Sequence, residues 1–448
     1  MRKSLLIIAL AVFTINASAQ VVPSPFWTNQ SSNFSIVSAG IRYMHVVDPN
    51  VVWAVGYNGT SAASNFNEFT RTINGGTSYV SGLIYPTTAT YFPASIEAIT
   101  QDTAWVTAYL TAGNMGAIHR TTDGGLSWSN MTPANMYTNA ASFADWSTFC
   151  TSQIGITCGD PVGGEFEIHR TNDGGMTWTL VPGASIPNPV GGEYALTDVY
   201  FRYGANDIWF GTNLGRVFHS ANQGQTWTVG SIGPTPYIND IAFRDAMNGL
   251  AITSATTAYS TSNGGATWTQ ITPLDPNMGL NSICPIPGTT WYASCGAGAG
   301  NNVISYSTDD GVTWTTWGGS NVQYLQIEFV NNTDGYAGGF SDPFNSAQDG
   351  MFRFNGTPLG INSGAPLASS SDVYPNPSTG LITLSLAPSK AGASIQVMDV
   401  MGKIVYSENV KNFAFEKYNL NLESLAKGIY SINIIRPTGT EVKKIIIQ

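Results

Sequence analysis

The sequence predicts an all-β chain in which a seven-bladed β-propeller is followed by a small Ig-like β-sandwich. Three observations support this prediction. A short motif recurs six times, strand-like segments fill the intervals between its copies, and the sequence pattern changes near residue 371. Tandem repeats of 40 to 50 residues with β-type sequence between them are typical of propellers.

The recurring motif reads Ser/Thr-x-Asp/Asn-x-Gly-x-Ser/Thr-Trp/Tyr, as in RTTDGGLSW at 120–128. Its closing aromatic residues lie 49, 50, 49, 41 and 46 residues apart: Tyr79, Trp128, Trp178, Trp227, Trp268 and Trp314. Glycine accepts the positive φ of a tight turn, and an Asp or Asn side chain can accept hydrogen bonds from its own turn. Each copy therefore predicts a hairpin turn with a structural acid or amide: Asn74, Asp123, Asp173, Asn222, Asn263 and Asp309.

Each interval between motifs contains alternating apolar and polar segments that predict the strands of a four-stranded antiparallel blade. Six motifs give six blades, and residues 322–354 repeat the first three strands of a seventh. The segment at 25–28 (PFWT) resembles the strand that follows a motif, so the N-terminus can supply the missing strand and close the ring. A six-bladed ring is the alternative if the last unit does not form.

The chain divides into four predicted segments. Residues 1–19 have the charged, apolar and small-residue regions of a secretory signal peptide. Residues 20–359 form the propeller, and the small-residue stretch 360–371 is a linker. Residues 372–448 contain short strands separated by glycine turns, which favours a β-sandwich. No later apolar run is long enough to predict a transmembrane segment.

Charge is unevenly distributed along the chain. Residues 21–370 contain 8 Arg, no Lys and 22 acidic residues, a net charge of −14, whereas residues 371–448 carry +2. An acidic, lysine-free propeller repels a phosphate backbone, so we expect no nucleic-acid partner.

Cysteine and histidine patterns predict no metal site, and no cofactor fingerprint is present. Two Cys pairs, Cys150/Cys158 and Cys284/Cys295, each bracket a predicted hairpin. Export permits disulfides, but buried free thiols fit the spacing equally well, so both states remain open.

Two resemblances follow from these motifs. The repeated motif resembles the Asp-box, or BNR, repeat of sialidases, sortilin-type receptors, xyloglucanase-type glycosidases and photosystem II assembly factors. In those families the box lies at the propeller periphery, away from the ligand face. YPNPSTG at 374–380, VMDVMGKIVY at 397–406 and LNLESLAKGIYSINI at 420–434 resemble the type A C-terminal sorting domain of the type IX secretion system of Bacteroidetes. That resemblance implies export through the type IX machinery to the cell surface or the medium.

Candidate ligand-binding residues are those expected near the axis of the ring or in loops on one face: Arg42, Glu97, Asp145, Asp160, Glu165, Asp198, Asp240 and Tyr324. A sialidase would need three convergent arginines, and only Arg42 and Arg216 fall outside the repeat positions and the far strand ends. No catalytic residue is assigned.

The expected function is therefore a secreted or cell-surface binding module for a glycan or a protein. One alternative is a xyloglucanase-like polysaccharide hydrolase, which needs a pair of carboxylates across the scissile bond. A second alternative is a surface adhesin.

Overall fold

The computed structural model describes residues 26–36, 38–59, 66–85, 91–110, 115–233, 237–297, 302–319, 322–341, 350–356, 372–385, 393–399, 403–410, 417–436 and 439–448. The chain forms two compact units, Met1–Gly360 and Ile361–Gln448. The expected signal peptide (1–19) and linker (360–371) lie outside the described residues. Within the described ranges, no helix has the length and apolar character needed to cross a membrane.

Antiparallel strands account for nearly all the regular structure in the first unit. In chain order they are β1 (Trp27–Gln30), β2 (Ala39–Val46), β3 (Val52–Asn58), β4 (Glu68–Thr72), β5 (Val80–Leu83), β6 (Tyr91–Ala98), β7 (Ala104–Leu110), β8 (Ala117–Thr121), β9 (Ser129–Asn130), β10 (Ala144–Phe149), β11 (Gly155–Val162), β12 (Glu165–Thr171), β13 (Thr179–Leu180), β14 (Ala195–Tyr203), β15 (Asp207–Thr212), β16 (Arg216–Ser220), β17 (Thr228–Ser231), β18 (Ile238–Phe243), β19 (Gly249–Thr253), β20 (Ala258–Thr261), β21 (Thr269–Gln270), β22 (Ser282–Pro285), β23 (Tyr292–Cys295), β24 (Val303–Ser307), β25 (Thr315–Gly319), β26 (Val322–Phe329), β27 (Gly335–Ser341) and β28 (Met351–Phe354). A single 3₁₀ turn, Gly183–Ser185, follows β13 in the described part of the chain.

These strands form seven four-stranded sheets, and the first unit is a seven-bladed β-propeller. Blades 1 to 6 each use four consecutive strands: β2–β5, β6–β9, β10–β13, β14–β17, β18–β21 and β22–β25. Blade 7 has the order β26-β27-β28-β1, so its outermost strand comes from the N-terminal end of the ring. The seven-bladed prediction is confirmed, and the six-bladed alternative is wrong.

The closing strand is held by main-chain pairing and by an aromatic cluster. Trp27 pairs with Phe354 across the β1–β28 ladder, and its side chain is only 3% exposed. The Trp27 ring lies 5.3 Å from the Phe354 ring, 6.0 Å from Phe329 and 6.2 Å from Trp317. Pairing with β1 covers the edge of β28 and completes the four strands of blade 7.

Adjacent blades are joined by a repeated tryptophan contact. Trp105 of blade 2 stacks on Phe149 of blade 3 with ring centroids 3.6 Å apart, and its indole N–H donates to the Gly174 carbonyl at 3.3 Å. Trp209 of blade 4 stacks on Phe243 of blade 5 at 3.9 Å and donates to the corresponding glycine carbonyl of that blade at 2.8 Å. Buried aromatic faces and a satisfied indole N–H thus fix blade 2 to blade 3 and blade 4 to blade 5.

The second unit contains two small sheets. Its strands are β29 (Asp372–Tyr374), β30 (Leu381–Ser385), β31 (Ala393–Met398), β32 (Ile404–Val410), β33 (Lys417–Asn421), β34 (Gly428–Arg436) and β35 (Gly439–Ile447). One sheet has the order β29-β30-β33 and the other β32-β31-β34-β35. Alternating apolar side chains from both sheets form one core, which includes Leu384, Val397 and Ile432. This arrangement is the expected β-sandwich.

Candidate ligand-binding face

The strand order gives the propeller two different faces. Every first strand of a blade lies nearest the axis and every fourth strand lies outermost. In such blades the turns after the first and third strands open on one face, and the other connections open on the opposite face. We call these the motif face, which carries the six motif turns, and the mouth face.

The six motif turns share one pattern of hydrogen bonds. Oδ1 of Asp123 accepts from the Ser127 amide at 3.0 Å, and its Oδ2 accepts from the Ser127 hydroxyl at 2.5 Å. An asparagine copy reproduces both contacts: the Asn222 side chain accepts from the Thr226 amide at 2.9 Å and donates to the Thr226 hydroxyl at 2.9 Å. The other copies are the same in kind: Asn74, Asp173, Asn263 and Asp309.

These turns stabilise the charged form of their aspartates. Hydrogen bonds from Ser127, and then from Thr121, lower the pKa of Asp123 to about 2. The equivalent bonds from Thr177 lower the pKa of Asp173 to about 2. All of the donors belong to the turn itself, so these contacts hold the hairpin and leave the carboxylates engaged.

Six of the seven innermost strands contain a β-bulge near their mouth-face end. In β2, Ile41 pairs with Gly56 and Tyr43 with Val55, which leaves Arg42 as the extra residue. In β10 the extra residue is Asp145. Further bulges occur in β6, β14, β18 and β26. A bulge re-aims a side chain out of the regular alternation, and in β2 and β10 the re-aimed residues, Arg42 and Asp145, are polar.

Arg42 lies among tyrosine rings at this mouth. Its guanidinium carbon is 5.1 Å from the Tyr43 ring centre and 5.0 Å from that of Tyr57. Within the described residues, Arg42 makes no ion pair with a carboxylate. Burial raises the pKa of Tyr109 to about 12, with the nearby Arg42 opposing the rise and Asp145 adding to it. The Tyr109 phenol is therefore neutral at physiological pH.

Three acidic candidates belong to blade 3: Asp145, Asp160 and Glu165. Asp145 and Asp160 are each 2% exposed, and Asp160 lies within β11 rather than in a connecting loop. Glu165 begins β12, next to Gly183 of the following connection. The structure brings Asp145 close to Tyr109.

A larger bulge in β14 crosses the channel. Pairing jumps from Ala195–Thr212 to Tyr200–Phe210, so four residues lie opposite one. Within it, Thr197 accepts a hydrogen bond from the Tyr43 hydroxyl at 3.2 Å, and Oδ2 of Asp198 accepts from the Gln326 amide group at 3.0 Å. Blades 1 and 7 lie opposite blade 4 in the ring, so this bulge spans the axis.

Asp198 adopts φ of 59° in this bulge. Burial raises its pKa well above the usual value, and the carboxyls of Asp240, Glu328 and Glu97 raise it further. Asp198 therefore bridges two blades in a carboxyl-rich region rather than facing solvent at the mouth.

Glu97 belongs to a polar cluster nearer the motif face, which sequence reasoning did not predict. Its carboxylate accepts from the Arg202 guanidinium at 3.3 Å and from the Tyr200 hydroxyl at 2.9 Å. Nδ1 of His45 lies 3.7 Å from both Glu97 and Glu328. We call this cluster the channel arc: His45, Glu97, Tyr200, Arg202 and Glu328. Equivalent strand positions could have indicated it, because His45 pairs with Trp53 and Glu97 with Trp105 in the same register.

Two candidates serve packing between strands and blades. Asp240 accepts from the Ile241 amide at 2.8 Å and from the Ile283 amide of the next blade at 2.9 Å. Burial raises its pKa to about 7, against the effect of these bonds. Tyr324 is 4% exposed and its ring packs on Phe352 at 5.2 Å. Neither residue has the ligand-facing position expected from the sequence. The Asp240 carboxylate accepts backbone hydrogen bonds within the propeller, and the Tyr324 ring packs against Phe352.

Partly exposed aromatic rings line the mouth face of blades 1 to 5. We call this set the aromatic crescent: Tyr57, Tyr109, Phe143, Tyr194 and Tyr237. Tyr57 and Tyr109 are the last residues but one of the second strands of their blades. The other three residues directly precede β10, β14 and β18. The rings of Tyr109 and Phe143 are stacked at 4.5 Å, and those of Tyr194 and Tyr237 are 6.2 Å apart.

The four cysteines are free thiols, so the disulfide alternative is not adopted in this structure. Burial raises the pKa values of Cys158, Cys284 and Cys295 well above the usual range. Among the described residues, no group of His, Cys, Asp and Glu side chains is arranged to hold a metal ion.

Comparison with known proteins defines the two parts of the chain. Residues 372–448 match the family described as the secretion system C-terminal sorting domain. The protein is therefore a β-propeller with a C-terminal sorting domain, and that domain implies secretion. No curated protein matches the sequence.

The first unit of the chain is similar in fold to solved β-propeller structures. The structure described as "YCF48 bound to D1 peptide" has a TM-score of 0.51 at 14% identity, covering 75% of this chain and 99% of that chain. YCF48 from Cyanidioschyzon merolae gives 0.50 at 15% identity, with 74% and 98% covered. At this identity the likeness establishes a common propeller fold. PorZ from Porphyromonas gingivalis is 12% identical over 89% of this chain and 68% of its own, with a TM-score of 0.32.

Proposed function

We propose that this protein is an exported binding module whose propeller holds a glycan or a protein ligand at the mouth face. Its sorting domain supports passage through the type IX secretion machinery. The signal-like sequence of residues 1–19 supports a preceding step across the inner membrane. Together these segments favour a location at the outer cell surface or in the medium.

The observation that carries the proposal is the environment of Arg42. A bulge makes this residue the extra one of its strand, tyrosine rings flank it, and no carboxylate of the described residues forms an ion pair with it, although the Asp198 carboxyl is near enough for Arg42 to lower its pKa. A guanidinium held this way retains hydrogen-bond donors for a ligand, and the rings around it offer stacking surfaces. The other arginine considered for this face, Arg216, is closed off by its ion pair with Glu193.

Binding is favoured over hydrolysis because of what the acidic side chains do. Glu97 is engaged by Arg202 and Tyr200, and Asp240 by two backbone amides. Asp198 holds the bulge across the channel through Gln326. These carboxyls maintain contacts between strands and blades, so no specific observation favours the hydrolase alternative.

A ligand screen of the full chain tests the proposal. Wild type, Arg42→Gln and Arg244→Gln are applied to arrays of glycans and of purified surface proteins. Arg244 is the matched control, since it lies on the motif face and is paired with Asp310. We expect Arg42→Gln to weaken binding at least tenfold, about 1.4 kcal/mol, with Arg244→Gln unchanged.

Retention of full binding by Arg42→Gln overturns the mouth-face site. Reducing ends released from a polysaccharide by the wild type establish hydrolysis instead. Binding confined to a protein on another cell identifies the adhesin alternative. For export, deletion of 372–448 is expected to leave the protein in the periplasm, and normal secretion of that truncation contradicts the sorting role.

A further inference from the structure

We propose that the aromatic crescent is an extended binding surface for a neutral, unbranched polysaccharide chain. This inference rests on the proposed function and names the ligand class of the same face. Its starting point is the position of the five rings. One ring comes from each of five consecutive blades, and each ring is only half-buried, although large apolar side chains elsewhere in the ring are mostly in the core.

The crescent is held rigidly by its backbone. The Phe143 carbonyl accepts from the Asp160 amide at 2.9 Å, that of Tyr194 from Asn213 at 3.2 Å, and that of Tyr237 from Ser254 at 3.0 Å. These bonds extend the inner ladders to the crescent residues themselves. A surface that is already ordered loses little conformational entropy when a ligand stacks on it.

The shape of the surface favours an elongated ligand over a compact one. The bulge of β14 spans the axis through Thr197 and Asp198, so a ligand on the mouth face does not extend through the channel. The rings instead follow the rim of the mouth from blade 1 to blade 5. A chain of sugars can lie along this rim with its apolar ring faces against the aromatic faces.

Charge selects a neutral chain. Residues 21–370 carry a net charge of −14 and contain no lysine, so a polyanion is repelled. Tyr109 and Tyr194 are uncharged at neutral pH, since burial raises the pKa of Tyr109 to about 12 and moves that of Tyr194 above the usual value. Arg42 is then a single hydrogen-bond donor group at one end of the surface, suited to sugar hydroxyls.

The test measures affinity against chain length by calorimetry. The probes are β-1,4-linked glucan, mannan and xylan oligosaccharides, from disaccharides to hexasaccharides, with alginate oligosaccharides as the acidic contrast. For wild type we expect affinity for at least one neutral series to rise with length, because longer chains reach more rings. Equal affinity for the disaccharide and the hexasaccharide, or binding of alginate alone, overturns the inference.

Three variants separate stacking from folding. Tyr194→Ala combined with Tyr237→Ala is expected to weaken hexasaccharide binding at least tenfold while leaving disaccharide binding unchanged. The matching double Phe variant keeps the rings and is expected to bind as wild type does. Tyr203→Ala is the control, since this exposed tyrosine ends β14 on the motif face.

The outcomes distinguish this inference from the proposed function. If Arg42→Gln abolishes binding of some ligand and the double Ala variant binds it normally, the crescent fails and the mouth-face site stands. If a protein segment binds and no oligosaccharide does, the ligand class is wrong. If no probe and no array component depends on Arg42, both proposals fall.

Discussion

At the scale of single residues, the equivalent position of the six motif turns is occupied by aspartate in three copies and by asparagine in the other three. Asp123, Asp173 and Asp309 accept hydrogen bonds from the turn, and Asn74, Asn222 and Asn263 make the same contacts with an amide group. The protein thus contains its own comparison between a charged and a neutral side chain.

Asp123→Ala is expected to lower the melting temperature by a few degrees, because the Ser127 amide and hydroxyl lose their acceptor. Asp123→Asn is the control and is expected to melt close to wild type, as asparagine already serves in three turns. Calorimetric melting curves with ligand-binding measurements check both. An unchanged melting curve with lost binding would contradict the structural assignment.

The aspartate turns also predict how stability depends on pH. Hydrogen bonds lower the pKa values of Asp123 and Asp173 to about 2, whereas the unfolded chain titrates near about 3.9. Their contribution is therefore complete above about pH 4 and is lost as the pH falls toward about 2. We expect the triple Asn variant at 123, 173 and 309 to lose less stability over this range, measured by urea unfolding. The same acid dependence in variant and wild type would refute the prediction.

At the scale of elements, the channel arc links strands of blades that are not adjacent. Glu97 of β6 pairs with Arg202 of β14, and Glu97 is 2% exposed. Glu97→Ala leaves Arg202 without its carboxylate, so we expect a loss of about 3 kcal/mol in the free energy of unfolding. Denaturant unfolding of both single variants and the Glu97→Ala/Arg202→Ala double variant measures the coupling. Strictly additive losses would show that the pair contributes nothing.

Bulges explain why the strands were easier to predict than the site. The alternating pattern around Leu196 to Phe201 indicated an inner strand, and β14 is that strand. Nothing in the alternation showed that four of its residues would face one partner residue and cross the channel. Likewise Arg202 lies next to the end of β14, but its side chain turns inward to Glu97. Side-chain direction at a bulge depends on strand pairing over long sequence distances.

At the scale of the whole molecule, ring closure depends on a strand of four residues. Trp27 is 3% exposed, so Trp27→Ala should cost about 3 to 5 kcal/mol in the free energy of unfolding. Phe26→Ala is the neighbouring control, and its ring is 37% exposed. Chemical denaturation compares the two. A Trp27→Ala variant as stable as the wild type would show that β1 is not needed for stability.

The sequence predicted this closure because each motif copy marks the turn between the third and fourth strands of its blade. The unit at 322–354 lacked a fourth strand, and the segment around Trp27 resembled one. The aromatic crescent was not predicted, since its residues lie at strand ends and connections outside the repeated motif. Repetition therefore identified the scaffold, whereas the candidate binding surface depends on residues that differ from blade to blade.

Pairing β1 with β28 imposes an order on assembly. Trp27 and Phe354 are partners although nearly the whole ring separates them in sequence. A ribosome makes β1 first, and its hydrogen-bonding edge has no partner until β28 has been made. Contacts this distant along a chain form slowly because a large loop must close before they contribute. The nascent protein thus leaves the β1 edge and the Trp27 side chain without partners for most of its synthesis. Exposure of an unpaired strand edge and a large apolar ring makes it a natural client for chaperones that keep exported chains from aggregating.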